Sequence, residues 1–88
     1  MLFRSRVTPA LRRLAAPTGL DDCLRAIAAE HGRPMSSAPL IDFARFEGLP
    51  ALVVAFTDAA GEQWIWVAGP DCGLGAAAAS TRYRAKVG

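Results

Sequence analysis

The feature that most limits the fold is the stretch 39–68, where three apolar segments follow one another with little between them. Residues 40–46 are rich in aromatic and branched side chains with partial alternation. Residues 51–56 form an unbroken apolar run, and residues 63–67 carry Trp64, Ile65 and Trp66. Such segments read as strands. Glu47-Gly48 and Asp58-Ala59-Ala60-Gly61 supply turn chemistry between them. A parallel crossover needs about a dozen residues or more. Segments 40–46, 51–57 and 63–68 are therefore expected as an antiparallel meander, ended by Gly69-Pro70-Asp71. The continuity of 51–56 marks a central strand buried on both faces or nearly so.

Ahead of the strands the period changes. Leu20, Cys23, Leu24, Ile27 and His31 recur at three- and four-residue spacing, with Gly32 as a stop and Pro34 beyond. Thr18 and Asp21 stand three apart, a weakened capping box, and Asp21 and Asp22 suit the first turn of a helix. An amphipathic helix is expected over 19–31, with Cys23 on or beside its buried stripe. Thr8-Pro9 is a second helix start, with Thr8 at the cap, and residues 10–16 give about two turns before Pro17 stops them. In the tail, residues 76–79 favour helix by propensity. Residues 81–87 alternate, with Thr81, Tyr83, Ala85 and Val87 on one side. The expectation there is a terminal edge strand whose outward bases discourage further pairing.

The fold class is thus α+β: one main amphipathic helix packed on a three- or four-stranded antiparallel meander. The 88 residues include 26 Val, Ile, Leu, Met, Phe, Trp and Tyr, enough for one modest core. Residues 1–17 are expected as linker or short helix and 18–88 as a single small domain. The longest apolar run, 49–56, falls far short of the roughly 20 residues that a membrane helix needs. Arg12 and Arg13 break any apolar segment that could follow Arg4 and Arg6 in a signal peptide. Met1-Leu2-Phe3-Arg4-Ser5 corresponds to a translated sequencing adapter, so these residues are expected to be a library scar and the natural chain to extend further upstream.

The net charge of +2 hides three zones. Residues 1–19 carry four arginines and no acid. Residues 20–75 carry three arginines against eight acids, and residues 76–88 carry three bases. A nucleic-acid binder concentrates bases on its folded face; here the part that forms the core is acidic, so no nucleic-acid partner is expected.

Few residues carry chemistry. The only histidine, His31, sits beside a helix-ending Gly32, and Cys23 lies eight residues earlier, about 12 Å by helical rise. Cys72 could approach His31 as a nucleophile pair only through the fold. Two separated cysteines and one histidine lack the spacing of a zinc site. Residues 69–75 are glycine-rich but lack the Lys-Ser/Thr ending of a phosphate loop. Asp42, Glu47, Asp58 and Glu62 lie in or beside turns, where acids are usually solvated. No catalytic residue, metal or cofactor is assigned. Trp64 and Trp66 share one face of a strand. That face is either a ligand or partner platform, or it packs on the 19–31 helix. Ile65 and Val67 then face the other side, which needs cover from the 9–16 helix or from a segment outside the chain. The cysteine pair reads two ways: a disulfide in an oxidising compartment, or two reduced buried thiols. A bridge would close 49 residues and, on the loop-entropy account, contribute about 4 kcal/mol.

The order of signals over residues 15–73 resembles the extracytoplasmic C-terminal domain of actinobacterial membrane-spanning anti-sigma factors. It is carried by Ala15-Ala16-Pro17, by Asp21-Asp22-Cys23-Leu24, by residues 41–54 with Phe46-Glu47-Gly48-Leu49-Pro50-Ala51, and by Trp64-Ile65-Trp66-Val67-Ala68-Gly69-Pro70-Asp71-Cys72. The resemblance implies a regulator split by a membrane. A cytoplasmic N-terminal domain, often with a zinc motif, holds a sigma factor inactive; one helix crosses the bilayer; an outer domain senses or scaffolds. The zinc motif and the membrane helix have no counterpart here, so a sigma-factor partner is implied only through that N-terminal part. Cys23 and Cys72 fall on the family's two cysteine positions, which the outer location favours as a disulfide. The implied function is a non-enzymatic extracytoplasmic sensor or scaffold, answering to a protein or small-molecule signal. The rival is a stand-alone cytosolic module that binds a ligand or peptide on the Trp64/Trp66 face.

Overall fold

The computed structural model describes residues 7–87. A 3₁₀ turn (Pro9–Leu11) leads into the one-turn helix α1 (Arg12–Ala15) and then α2 (Pro17–His31). Strands β1 (Leu40–Phe46), β2 (Leu49–Thr57), β3 (Gln63–Ala68) and β4 (Thr81–Val87) follow, with a second 3₁₀ turn (Gly75–Ala77) between the last two. The four strands form one antiparallel sheet in chain order, the α+β meander that the spacing predicts.

Helix α2 begins two residues before its expected start. Pro17 occupies the first helical position, where its missing N–H costs nothing. Ala16 is the cap without a side-chain bond, so the Thr18–Asp21 box does not form. The far end matches: Gly32 adopts φ 85 and its N–H bonds to Ala28 O. Gly19, Cys23 and Ile27 form the buried stripe. A Cβ on Gly19 would collide with the Arg13 carbonyl, so only glycine lets α1 cross α2 this closely.

One core fills the space between the helices and the sheet. Leu11 and Leu14 join Cys23 and Ile27, and from the sheet come Leu52, Val54, Phe56, Trp66 and Ala68. Cys72 and Ala79 of the 69–80 loop complete it. The 9–15 segment therefore covers the same face as α2, not the Ile65/Val67 face. On that second face, Phe46 and Tyr83 reach toward each other from the two edge strands, ring centroids 5.9 Å apart. Ala51 and Val67 on the same face are buried, whereas Leu40 and Val87 at its other end are exposed.

Two local features set the registers. Glu47 and Gly48 both take positive φ (53 and 80), the requirement of a two-residue hairpin turn. Strand β2 starts at Leu49 and absorbs Pro50, because β3 does not begin to pair until Leu52 meets Ala68. The missing proline N–H faces a position with no strand beside it. In β4, Val67 pairs with Tyr83 and Ala68 with Thr81, leaving Arg82 as a bulge. The alternation expected for 81–87 breaks there. Thr81 lies on the core face, Tyr83 on the other, and Arg84 and Lys86 return to the core face opposite Trp66 and Trp64. The bases are not turned outward as expected. They flank the core and pair with Glu30 (3.7 Å) and Glu62 (2.7 Å).

The 69–80 loop presses its backbone against α2. A Cβ on Gly73 (φ +86) would lie 2.7 Å from the backbone of Asp22 and Cys23, whereas Gly61 (φ +81) has open space around it. Gly61→Ala is expected to cost about 1 kcal/mol for its backbone conformation alone. Gly73→Ala should cost clearly more, because a backbone clash adds to the same φ. Urea unfolding of the two oxidised variants compares them directly.

Candidate functional site

Two clusters hold α2 to the rest of the molecule, one near its middle and one at its C-terminal end. At the first, Cys23 and Cys72 are joined as a disulfide with Cα atoms 4.8 Å apart, and both residues are fully buried. The Arg13 guanidinium donates to Pro70 O (3.2 Å) and to Cys72 O, tying α1 to the same loop. Neither cysteine is free, so the thiol that a Cys72–His31 nucleophile pair requires is not there. Closing 49 residues restricts the unfolded chain enough to stabilise the fold by up to about 4 kcal/mol.

The second cluster is centred on Asp58, which its place in a turn predicts to be solvated. It is fully buried. Its Oδ1 accepts from the backbone N–H of Ala60 (2.9 Å) and Glu62 (3.0 Å), which shapes the β2–β3 turn. Its Oδ2 lies 2.8 Å from His31 Nε2 and 3.4 Å from an Arg33 guanidinium nitrogen. A carboxylate only accepts, so His31 Nε2 carries the hydrogen of that bond. The His31 side chain is itself 6% exposed. It meets Phe56, Trp64 and Trp66 edge-on at centroid distances of 5.4, 4.7 and 5.9 Å. Arg33 also reaches Glu62 (3.1 Å).

The hydrogen bond from His31 holds the Asp58 carboxyl well below the usual carboxylate range, helped by the Ala60 and Glu62 N–H groups and Arg33, against the opposing effect of burial. Lys86 lowers Glu62 in the same direction by hydrogen bond and charge. Only the i, i+2 and i, i+4 backbone bonds from Asp58 have a local signal, an Asp opening an Asp-Ala-Ala-Gly turn. The link to His31 spans 27 residues and is set by topology.

The two tryptophans part company. Trp66 is fully buried, its Nε1 donating to Thr81 Oγ1 (3.0 Å), which in turn donates to Glu30 (2.8 Å). The Arg84 guanidinium lies 5.4 Å from its ring centroid. Trp64 is partly buried and borders a half-open cleft of about 340 Å³. Leu40, Ala55, Ile65 and Val87 form its apolar walls, and Ser37, Thr57 and Gln63 are its polar groups. No charged residue lines it. Among the described residues no group of three or more His, Cys, Asp or Glu is placed to hold a metal ion.

The family model of the anti-sigma factor RsmA C-terminal extracellular domain matches residues 3–87. The chain belongs to that family. The resemblance over residues 15–73 was a sample of a match that extends along nearly the whole chain, and the family's extracellular place takes precedence over the cytosolic rival. A disulfide between Cys23 and Cys72 is the covalent state such a compartment sustains. No curated protein and no solved structure matches the chain. Among the described residues no helix is long and apolar enough to cross a membrane.

Two outcomes follow. Reduction of the disulfide, or paired Cys23→Ser and Cys72→Ser, should lower unfolding stability by up to about 4 kcal/mol in urea titrations. Because the folded Asp58 carboxyl titrates below its unfolded value, its contribution is complete above about pH 4 and fades as pH falls further. Asp58→Asn should therefore flatten the acid limb of a stability-versus-pH curve while lowering stability at neutral pH. Asp42→Asn, outside the network, should do neither.

Proposed function

We propose that this chain is the outer, non-enzymatic sensor or scaffold domain of an anti-sigma regulator of transcription. The observation that carries the reading is the family match over residues 3–87. The buried disulfide and the Asp58 network support it: they make a small domain rigid, as a part that relays or holds a signal outside the cell must be. Both thiols are consumed in the staple, and His31 is packed against three aromatic rings, which supports a structural role for these groups. The sigma factor is bound by another part of the full-length regulator, and the signal reaching this domain is a protein or a small molecule.

A second reading concerns where that signal lands. The uncharged cleft beside Trp64 has the size of a small-ligand site and walls suited to an uncharged apolar group. Trp64, not Trp66, is the tryptophan such a ligand meets. Intrinsic fluorescence during titration with small uncharged apolar compounds, compared between the parent chain and Trp64→Ala, tests this.

For the main reading, residues 18–88 are deleted from the full-length regulator in its host and transcription from a sigma-dependent promoter is followed. A changed basal level or a lost response is expected. Output that stays the same under every condition tried would show that the domain neither senses nor scaffolds.

A further inference from the structure

We propose that two copies of this chain associate through β1, joining their sheets about a twofold axis at Phe43. The starting observation is the contrast between the two sheet edges. Strand β4 carries Arg82, Arg84, Lys86 and a bulge, devices that discourage a further strand. Strand β1 has seven residues with no lysine, proline or bulge, and pairs on one side only among the described residues. Leu40 at its start is 76% exposed.

The hydrogen-bond phase of β1 then fixes how it can pair. A two-residue turn at Glu47-Gly48 makes Phe46 and Leu49 a hydrogen-bonded pair. Counting back, Ala44, Asp42 and Leu40 also direct their N–H and C=O groups to β2. Those of Arg45, Phe43 and Ile41 point away from the sheet. Two antiparallel copies must set these three residues against each other. Only a twofold centred on Phe43 engages all of them: Phe43 opposite Phe43, and Ile41 opposite Arg45 on either side. A centre at Asp42 or Ala44 engages only two of the three, and a centre between two residues faces free groups with groups already bonded to β2.

This register also suits the side chains, and that is why the occupant is a second copy. Leu40 falls opposite Phe46 of the second copy, whose ring leans inward to Tyr83 and leaves the edge open to it. Asp42 falls opposite Ala44, so no like charges are directly opposed. Because Leu40 walls the cleft beside Trp64, the end of the second copy's β1 would stand at the cleft's outer rim. The single unfavourable element is the pair of Asp42 carboxylates, which lie diagonal to each other on one face.

Sedimentation of the oxidised 88-residue chain over a concentration series tests the proposal. A dimer fraction that grows with concentration is expected, and amide exchange at Ile41, Phe43 and Arg45 should slow in step. Arg45→Pro removes an outward N–H at an edge position that tolerates proline, so symmetry deletes two main-chain bonds and the dimer weakens about tenfold. Leu40→Glu should weaken it as well, and Asp42→Asn should tighten it. If Arg45→Pro does not fold, by near-ultraviolet circular dichroism, Leu40→Glu decides, since that side chain is exposed. A monomer at every concentration overturns the proposal. So does a dimer indifferent to Leu40→Glu, one weakened by Asp42→Asn, or one that responds to Arg84→Glu instead.

Discussion

The covalent link between Cys23 and Cys72 is the constraint on which the arrangement depends. The domain has one helix long enough to cover a four-stranded sheet, and that helix contributes only three fully buried residues to its stripe: Gly19, Cys23 and Ile27. Two of these have little or no apolar side chain to bury, so area alone holds the helix weakly. The disulfide supplies what the stripe lacks. It also gathers its surroundings: Arg13 reaches the carbonyls on either side of Asp71, and Gly73 lets the loop backbone lie against that of α2. The N-terminal turn, the main helix and the loop between β3 and β4 thus meet at one place.

The C-terminal end of α2 is fixed by charge. His31 and Arg33, from the helix terminus and the residues after it, converge on a carboxylate that the β2–β3 turn has already oriented with two backbone N–H groups. A buried carboxylate left unpaired is destabilising; paired and hydrogen-bonded on both oxygens, it gives one defined geometry. Glu62 extends the cluster to Lys86 on β4, where the exposed ion pairs add little energy but follow the register that the bulge sets. Helix, hairpin and edge strand are therefore referred to a common point.

Much of the fold was legible because its signals are local. The three central strands follow from apolar runs separated by connections too short for a crossover, and α2 from its spacing and its terminal glycine. The fourth strand followed from alternation in 81–87, yet its facing did not. One unpaired residue, Arg82, inverts the side on which the later residues lie, and composition carries no mark of that. The α2 start was displaced because Pro17 begins a helix as readily as Thr18 caps one. The cysteine pairing was undecided by spacing and became readable through family resemblance. Asp58 was the residue missed. In the sequence it is a turn acid like Glu47, and the packing of His31 over Phe56, Trp64 and Trp66 helps remove it from water. Trp66 and Trp64 look equivalent in the chain and both meet His31 of α2, but Trp66 is fully buried whereas Trp64 also borders a cleft.

The bulge at Arg82 has a consequence for how such a sequence can change. Loss of Arg82 alone would restore simple pairing, with Thr81 still opposite Ala68 and Tyr83 opposite Val67, and would leave Arg84 and Lys86 on the side of Glu30 and Glu62. Regular pairing with all seven residues kept would instead set Arg84 opposite Ile65 and Lys86 opposite Gln63, placing two cations on the surface now formed by Leu40, Ala55, Ile65 and Val87. The bulge, and not the identity of the neighbouring residues, thus decides which side of the domain is charged.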